Sequence, residues 1–292
     1  MFLSQCRRLA GRVFVKVRPN AEAKALVAYR QHAAARAAAS PQMPPTGDPV
    51  VLTCVYRKRN RPVVEAMLRQ CPADVDARLW CLDGDPGPGT RLGTGRVLGA
   101  GPGEKFPLVD ALLACRPLPE NAYVVVADDD VVFSQGSLEA LLRVCRHLSL
   151  DLAQPAQSWS SCYSHPFTLA RPWSLARRTG FVEIGPLFVV GPGRRSDFIP
   201  FGPVGMGYGL EMRWNTLAKS GARLGIVDRC QMVHLGTVGA GYAVSQELER
   251  MVASLPGQDY GALADTKQVD CTYLRLGGLA LQRPKPVLPR AA

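Results

Sequence analysis

The sequence predicts an α/β fold in one domain, with a mixed, mostly parallel sheet flanked by helices. Three short apolar runs have the length and β-branched composition of buried strands: PVVLTCVY near residue 50, ARLWCLDGD near residue 80 and AYVVVADDDVVF near residue 125. Segments that favour helices alternate with these runs. Strands that alternate with helices tend to pair in parallel, and such folds bind ligands in the crevice beyond the carboxyl ends of the strands.

Three helices are predicted between and after these strands. Residues 62–70 begin with Pro62, a residue that suits the first turn of a helix. Residues 104–116 and 136–148 follow with helical patterns, the second of them amphipathic. Residues 86–103 are crowded with Gly and Pro and are therefore predicted to form a loop.

The chain of 292 residues is long enough to bury one sizeable core. Residues 1–40 are basic and Ala-rich and predict a helical N-terminal extension, and the proline-rich residues 41–49 predict a linker. The main domain is expected over 50–245. Residues 246–292 are expected to hold a C-terminal helix and a basic, Pro-containing tail, which is loose over its last twenty residues.

The net charge of +11 comes from the two ends of the chain. Residues 1–40 hold eight Lys or Arg and one acid, and residues 272–292 hold four Lys or Arg and no acid, so 41–271 is neutral. A neutral body does not suit a nucleic-acid-binding domain, which needs a basic stripe. Basic ends suit an anionic membrane face or an acidic partner.

Residues 1–18 predict a basic amphipathic helix that either binds an anionic membrane surface or packs as an arm on the domain. Its apolar positions recur at helical spacing: Phe2, Cys6, Leu9, Val13 and Val17. Neither a membrane-spanning run nor an apolar stretch of signal-peptide length is present in the sequence. A cytoplasmic protein is therefore expected, peripheral on the inner face of the membrane if the helix binds there.

The nine cysteines form no C-x-x-C pair and no cluster with zinc spacing. Their number is odd, and several lie in apolar runs, as Cys54 and Cys81 do. Buried free thiols in a reducing compartment are expected.

Three consecutive aspartates, Asp128, Asp129 and Asp130, follow the third apolar run. If the strand continues through them, Asp128 and Asp130 point to one face and Asp129 to the other. Two carboxylates at a strand end make an oxygen site that suits Mg²⁺ or Mn²⁺. The alternative is a solvated acidic turn or a helix N-cap, and the run alone does not decide between them.

Further motifs make the chain resemble the nucleotide-sugar glycosyltransferases of the GT-A fold. D-x-D lies about twenty residues after Glu104-Lys105, and RRTGFVEIGPLFVV (177–190), GYGLEMRW (207–214) and GIVDRCQMVHLGT (225–237) follow in order. The ordered set is similar to the DUF707 family of proposed glycosyltransferases and to family-2-like bacterial transferases. It covers about residues 50–240.

The resemblance implies an enzyme that moves a sugar from a nucleotide diphosphate donor, UDP-sugar above all, to an acceptor hydroxyl. A glycan, a lipid-linked glycan or a small molecule is the implied acceptor, and Mn²⁺ or Mg²⁺ the implied cofactor. Asp130 would ligate the metal, Asp128 would contact the ion or the ribose, and Asp129 would support them. His234 would complete the metal shell as a neutral imidazole.

Glu211 follows a glycine-rich approach and is the expected general base, which takes the proton of the acceptor hydroxyl in an inverting transfer. In a retaining enzyme it would instead bind sugar hydroxyls. Glu183 lies in an apolar run and needs a partner, either a hydroxyl of the donor sugar or a structural Arg such as Arg178. Asp228, six residues before His234, would orient the site or cap its strand.

Five further residues are expected around the nucleotide. Lys105 would neutralise a phosphate oxygen, unless it is only an exposed residue at a helix start. Asp83 and Asp85 close the second predicted strand, where the fold holds the base and ribose. Thr53 and Tyr56 would line the same pocket from the first strand.

Two other functions remain open at this point. A nucleotidyltransferase also places a metal at strand-end carboxylates, but it usually carries a glycine-rich loop after the first strand, and VVLTCVYRKRNRP has no glycine. A non-catalytic, sugar-binding relative of the GT-A fold is the second. It would have lost either D-x-D or the downstream acid, and both are present.

Overall fold

A computed structural model describes residues 47–84, 90–236, 243, 245–247, 249–250, 267–276 and 279–283. The predicted N-terminal helix over 1–18, the rest of the N-terminal extension and most of the linker lie outside these residues. Within them, no helix is long and apolar enough to cross a membrane.

The described residues form one α/β domain around a sheet of twelve strands. Their bounds are β1 Val50–Tyr56, β2 Asp76–Cys81, β3 Arg91–Leu92, β4 Gly95–Ala100, β5 Tyr123–Ala127, β6 Val131–Gln135, β7 Leu152–Gln157, β8 Ser174–Thr179, β9 Leu187–Val190, β10 Leu224–His234, β11 Val269–Leu276 and β12 Leu279–Arg283. The order across the sheet is β12-β11-β8-β10-β7-β9-β5-β1-β2-β4-β3, and β6 pairs with β10.

The sheet is mixed, and its two halves differ. Strands β4, β2, β1 and β5 lie side by side and parallel, as the alternation of strands and helices predicted. The prediction of a mostly parallel sheet is wrong for the rest, because β9 runs antiparallel to both β5 and β7, and β8 runs antiparallel to β10 and β11. The apolar runs that predicted parallel pairing all come from the first half of the chain.

Five helices have bounds within the described residues: α1 Arg61–Arg69, α2 Lys105–Ala114, α3 Leu138–His147, α4 Arg195–Phe198 and α5 Leu210–Lys219. Residues 245–247 and 249–250 are also helical. Single 3-10 turns lie at Lys58–Asn60 and Pro166–Thr168. The three predicted helices are confirmed as α1, α2 and α3, with Pro62 in the first turn of α1. The Ser137 hydroxyl caps α3 by accepting a hydrogen bond from the Ala140 N–H at 3.2 Å.

Two hydrophobic layers cover the faces of the sheet. Side chains alternate along β1, so that Leu52 and Cys54 pack with residues of α1 and α3, whereas Val51 packs on the other face with residues of α2 and α5. Trp214 of α5 is fully buried in this second layer, 5.1 Å from the ring of Phe188. The helices thus cover both faces and leave the carboxyl ends of β1, β2 and β5 at one edge.

The predicted loop over 86–103 is wrong in part, because β3 and β4 form a hairpin there and β4 adds to the sheet beside β2. Glycine lowers strand propensity, which is why the segment resembles a loop in sequence. Here Gly99 allows a close approach: a Cβ atom on it would lie 2.1 Å from the ring of Trp80.

The third predicted strand is two strands. β5 ends at Ala127, and β6 begins at Val131 after a turn that holds the three aspartates. Asp128 and Asp130 therefore do not share a face through strand alternation. Their positions depend on this turn and on what packs against it.

The C-terminal region is not only a helix and a loose tail. β11 pairs with β8, and β12 pairs with β11, so that the sheet continues to Arg283. The sheet predicted to lie within residues 50–245 therefore includes two strands beyond residue 245. Single-sequence patterning missed β11 because DCTYLRL mixes polar and apolar residues.

A buried ion pair fixes the strand that leads to the site. The pairing of β10 with β7 shifts between Val227 and Gln231, and Asp228 lies in this irregularity. Its carboxylate accepts hydrogen bonds from Arg177 Nε at 3.0 Å and Nη2 at 3.1 Å, and from the Arg171 N–H at 2.9 Å. The side chains of Arg177 and Asp228 are both 0% exposed. Asp228 therefore joins β10, β8 and the loop before β8.

The cysteines agree with the sequence-based expectation where the structure describes them. Eight free thiols are present in this part of the chain, and six of them are buried: Cys54, Cys71, Cys81, Cys145, Cys230 and Cys271. Cys6 lies outside the described residues.

Candidate metal centre and carboxylate cleft

The turn between β5 and β6 faces the end of β10. Antiparallel pairing of the two strands puts His234 opposite Val131, and the Leu235 N–H donates to the Asp130 carbonyl at 2.7 Å. A carboxylate oxygen of Asp128, one of Asp130 and a ring nitrogen of His234 all lie within 4.8 Å of one another. Strand pairing thus assembles two oxygen donors and one nitrogen donor.

The imidazole of His234 is held from both sides. Its Nδ1 lies 3.0 Å from the Cys162 carbonyl oxygen, and its Nε2 lies 3.1 Å from Asp130 Oδ1. A carbonyl only accepts hydrogen bonds, so Nδ1 carries a proton and Nε2 faces the aspartates. The backbone N–H of His234 donates to Ser161 Oγ at 2.8 Å, which fixes the strand end as well.

The charges at this turn depend on one another. Burial acts to lower the pKa of His234, but the hydrogen bond to Asp130 and the charges of Asp130 and Asp128 outweigh it and raise the pKa to about 9. Burial acts to raise the pKa of Asp130, but the hydrogen bond from His234 and its charge, with that of Lys105, hold the pKa below its usual value. Without a bound cation, a protonated His234 is the counter-ion of Asp130.

Lys105 is the counter-ion of Asp128. This first residue of α2 places Nζ 2.6 Å from Asp128 Oδ1 and 3.0 Å from the Ile184 carbonyl oxygen, which accepts a hydrogen bond from it. The ammonium group also lies 5.2 Å from the centroid of the Phe106 ring. The alternative of an exposed lysine at a helix start is wrong, because only 11% of the side chain is exposed.

Residues 183–186 connect the Asp128–Asp130–His234 group to two buried glutamates, Glu183 and Glu211. The Asp128 N–H donates to the Pro186 carbonyl at 2.7 Å. The peptide N–H of Ile184 hydrogen-bonds to the carboxylate of Glu211, while the carbonyl of the same residue accepts from Lys105. One short segment therefore positions the acid turn, the lysine and Glu211.

Both glutamates are buried, with 6% of Glu183 and 9% of Glu211 exposed. Burial raises the pKa of each to about 7, and for Glu211 the charge of Glu183 adds to the effect. Gln157, Ser164 and Thr168 hydrogen-bond to Glu183 and partly offset the rise, as does the charge of His234. Arg178, the structural partner considered for Glu183, lies on β8 opposite Gly225 and Cys271.

Lys267 was not anticipated from the sequence. It precedes β11, and its Nζ lies 5.4 Å from the centroid of the Phe181 ring. Burial lowers its pKa, while the charges of Glu211 and Glu183 act in the opposite direction, so all three groups share one region. Ser161 and the Cys162 carbonyl, which orient His234, were also missed; neither residue type carries a sequence signal for that role.

The donor set fits a divalent cation. Carboxylate oxygens are ligands that Mg²⁺ and Mn²⁺ prefer, whereas an imidazole nitrogen is typical of the other first-row divalent metals. Two glycines leave room for the carboxylates: a Cβ on Gly185 would lie 2.8 Å from Asp128 Oδ2, and one on Gly236 would lie 2.1 Å from Asp130 Oδ2. Both side chains thus depend on the absence of a Cβ beside them.

Asp129 and Asp83 contact the turn after β1 and are not part of the Asp128–Asp130–His234 group. Asp129 Oδ2 accepts from the Arg57 N–H at 2.7 Å, and Asp83 Oδ2 accepts from the Lys58 N–H at 2.6 Å. Burial raises the pKa of Asp129 to about 6, with contributions from Asp130 and Asp128, while hydrogen bonds from Arg57 and Asn60 partly offset the rise. Asp85 lies outside the described residues.

Thr53 and Tyr56 are both buried in the core, with 0% and 2% exposed. The Thr53 hydroxyl donates to the Val125 carbonyl of the neighbouring strand at 3.3 Å. Neither placement supports the predicted contact with a nucleotide. Helices cover β1 on both faces and bury these two side chains.

A scan against protein-family profiles and a search of curated proteins found no match for this chain.

Proposed function

We propose that this protein is a metal-dependent glycosyltransferase of the GT-A fold, which moves a sugar from a nucleotide diphosphate donor, with UDP-sugar first among candidates, to an acceptor hydroxyl. The observation that carries the proposal is the juxtaposition of the Asp128–Asp130–His234 donor set with two buried glutamates. The two features meet at the carboxyl end of β5, where an α/β sheet binds its ligands. The ordered sequence motifs point to the same class.

Asp128, Asp130 and His234 would hold the cation. A cation held there would supply positive charge that offsets the negative charge on a leaving diphosphate. His234 must give up a proton to act as a ligand, because its raised pKa of about 9 keeps it protonated near neutral pH. Cation binding should therefore release a proton.

Lys105 would contact the diphosphate. Its ammonium lies 2.6 Å from Asp128 Oδ1, beside the Asp128–Asp130–His234 donor set. It would exchange this contact for a phosphate oxygen of the donor if Asp128 ligated a cation. The carbonyl of Ile184 accepts a second hydrogen bond from the ammonium and orients it.

Glu211 is the proposed base. It would accept the proton of the acceptor hydroxyl as that oxygen bonds to the anomeric carbon, while the electron pair of the broken bond leaves on the diphosphate. A base works best when its pKa lies near the working pH, and burial brings the pKa of Glu211 to about 7. A single base of this kind corresponds to an inverting transfer. Glu183 and Lys267 would hold hydroxyls of the sugar beside it.

The proposal is tested by calorimetric titration with UDP in the presence and absence of Mn²⁺, followed by a screen of nucleotide-sugar donors for released nucleotide diphosphate. We expect UDP to bind at least about tenfold more tightly with Mn²⁺. Equal binding with and without the cation would overturn the metal-dependent assignment.

The same titration separates the competing functions. Preference for a nucleoside triphosphate over the diphosphate would favour a nucleotidyltransferase. Binding of free sugars with no nucleotide binding would favour a non-catalytic sugar-binding protein. Anomeric configuration of the product, read by NMR, distinguishes an inverting base from a role of Glu211 in binding sugar hydroxyls.

A further inference from the structure

Two tryptophan side chains lie exposed on the surface. Trp159 is 71% exposed and Trp173 is 80% exposed, and they are the exposed large hydrophobic side chains of the part of the chain that the structure describes. Trp214, by contrast, is fully buried. Leaving two indoles in water forgoes the favourable free energy of burying their apolar surface. A ligand that covers them would recover part of that free energy.

The two indoles belong to loops that are joined to each other. The ring N–H of Trp159 donates to the Ala170 carbonyl at 3.3 Å, three residues before Trp173. The Arg171 N–H, in turn, donates to the buried carboxylate of Asp228 at 2.9 Å. The hydrogen bond fixes the Trp159 ring, and Asp228 ties the second loop to β10.

The same loops hold the metal centre. Ser161, two residues after Trp159, accepts a hydrogen bond from the N–H of His234 at 2.8 Å, and the next carbonyl, that of Cys162, contacts the His234 ring at 3.0 Å. Two residues span at most about 7 Å. Trp159 is therefore attached directly beside the proposed metal ligand, on the side of the site that the β7–β8 connection forms.

The chemistry of this surface suits a saccharide. A pyranose ring has an apolar face of C–H groups that stacks on a flat aromatic ring, and hydroxyls at its edge that need hydrogen-bonding partners. Ser158 and Ser160, on either side of Trp159, are half-buried and carry hydroxyls that lie 3.1 Å apart. A patch that binds an anionic membrane would need a cluster of about four to eight Lys or Arg. The two turns that carry the indoles, residues 158–162 and 169–174, contain one basic residue, Arg171.

We propose that Trp159 and Trp173 form an acceptor subsite that stacks on the sugar rings of a saccharide acceptor. The inference rests on the proposed function, because it takes the neighbouring centre as the place where the new glycosidic bond forms. It narrows the acceptor class from any hydroxyl compound to a carbohydrate chain, with its end at Glu211 and preceding rings on the two indoles.

The test uses the full chain with 5-fluorotryptophan and fluorine NMR. The chain has four tryptophans, and single Trp→Phe variants assign the four resonances. The probes are maltohexaose, cellohexaose, mannohexaose and chitohexaose, added without nucleotide. We expect at least one probe to shift the resonances of Trp159 and Trp173 and to leave that of the buried Trp214 unchanged.

Matched variants give the quantitative result. Trp159→Ala and Trp173→Ala should each weaken binding of that hexasaccharide at least tenfold, whereas Trp159→Phe should retain most of it, and UDP binding with Mn²⁺ should stay within twofold. Resonances of Trp159 and Trp173 that move with none of the saccharides would overturn the inference. So would a shift caused only by phosphatidylglycerol vesicles, which would make the surface a membrane contact.

The two proposals can fail separately. Saccharide binding at the indoles without any metal-dependent nucleotide binding would remove the transferase and leave a sugar-binding surface. Metal-dependent UDP binding without saccharide binding would leave the transferase and remove this acceptor subsite.

Discussion

His234, the last residue of β10, places Nε2 3.1 Å from Oδ1 of Asp130, in the turn before β6. The contact joins two segments that are far apart in the chain, and antiparallel pairing of β6 with β10 is what brings them together.

Removing the charge of Asp130 should abolish cation binding. Asp130→Asn keeps the shape of the side chain and removes a ligand charge, so we expect Mn²⁺ affinity to fall about 100-fold or more, measured by calorimetry. Asp129→Asn is the matched control, because Asp129 bonds to the Arg57 N–H and not to the cluster. Equal losses in both variants would mean that general electrostatics, not ligation, holds the cation.

Adding one methyl group beside Asp128 should also weaken the metal site. A Cβ on Gly185 would lie 2.8 Å from Asp128 Oδ2, so Gly185→Ala must displace this carboxylate. We expect Mn²⁺ affinity to fall about tenfold, with little change in the thermal midpoint because the carboxylate end can move. Gly193→Ala is the control, since its Cβ would lie at an ordinary 3.6 Å from Asp151 Oδ1. Unchanged affinity in Gly185→Ala would show that Asp128 is not a ligand.

Lys105 should act in opposite directions on the cation and on the nucleotide. Its ammonium lies 2.6 Å from Asp128 Oδ1, so Lys105→Met removes a competing charge and should tighten Mn²⁺ binding several-fold. UDP binding with saturating Mn²⁺ should weaken, because a phosphate contact is lost. Lys219→Met, at the exposed end of α5, is the control and should change neither affinity. A parallel loss of both affinities would contradict the proposed exchange of partners.

Glu211 should make stability depend on pH. Burial raises its pKa from 4.5 to about 7, so the protonated form is favoured in the folded protein. The contribution of Glu211 to the free energy of unfolding is fully present below pH 4.5. It is lost as the pH rises through 7 and the buried side chain ionises. Glu211→Gln should therefore match the native protein near pH 4.5 and exceed its free energy of unfolding by about 3 kcal/mol at pH 8, measured by urea denaturation.

A control variant and two functional measurements separate the effect of Glu211→Gln on stability from its effect on catalysis. Glu120→Gln, on the exposed turn after α2, makes the same chemical change away from the buried site and is the matched control. Glu211→Gln should keep UDP binding and lose sugar transfer. Retained transfer would remove Glu211 as the base, and a pH-independent difference in stability would contradict its burial as an acid with a raised pKa.

Breaking the buried ion pair should unfold part of the site. Asp228→Asn leaves the guanidinium of Arg177 buried without a charged partner, which should cost about 3–5 kcal/mol of the free energy of unfolding. Replacing both residues by apolar ones, Arg177→Met with Asp228→Leu, should recover most of that loss. The partly exposed pair Arg194–Asp197 provides the control through Asp197→Asn. A double variant as unstable as Asp228→Asn would show that hydrogen bonds to the loops, not the charge, dominate.

Local patterns in the sequence predict the first half of the fold. The apolar runs of β1, β2 and β5 and the helical patterns of α1, α2 and α3 are each set by side chains within a few residues of one another, so they can be read without tertiary information. The acidic turn is also visible, because charged residues seldom follow a buried strand without a partner. For the same reason Asp128 and Asp130 could be selected as candidates, whereas His234 was implied by the resemblance to GT-A glycosyltransferases.

Other features depend on contacts between distant segments. Gly99 has the sequence character of a loop residue, and its place in a strand is explained by the packing of Trp80 against it. In the same way, β11 has the sequence character of a tail and forms a strand by pairing with the edge of β8. Lys267 carries no local signal at all. The sequence pattern around Thr53 and Tyr56 is the same for a core residue as for a residue that lines a pocket. Their burial under helices, which only the tertiary structure shows, places them in the core.

The sequence by itself determined which residue types stand at the strand ends, and hence a carboxylate-rich site on an α/β sheet. The tertiary structure decided their partners: His234 for Asp130, Lys105 for Asp128, and the peptide of Ile184 for Glu211. The physical reason is that charge and burial act through space. The pKa of a carboxylate depends on what lies within a few ångströms of it, and that is set by strand pairing and helix packing between segments far apart in the chain.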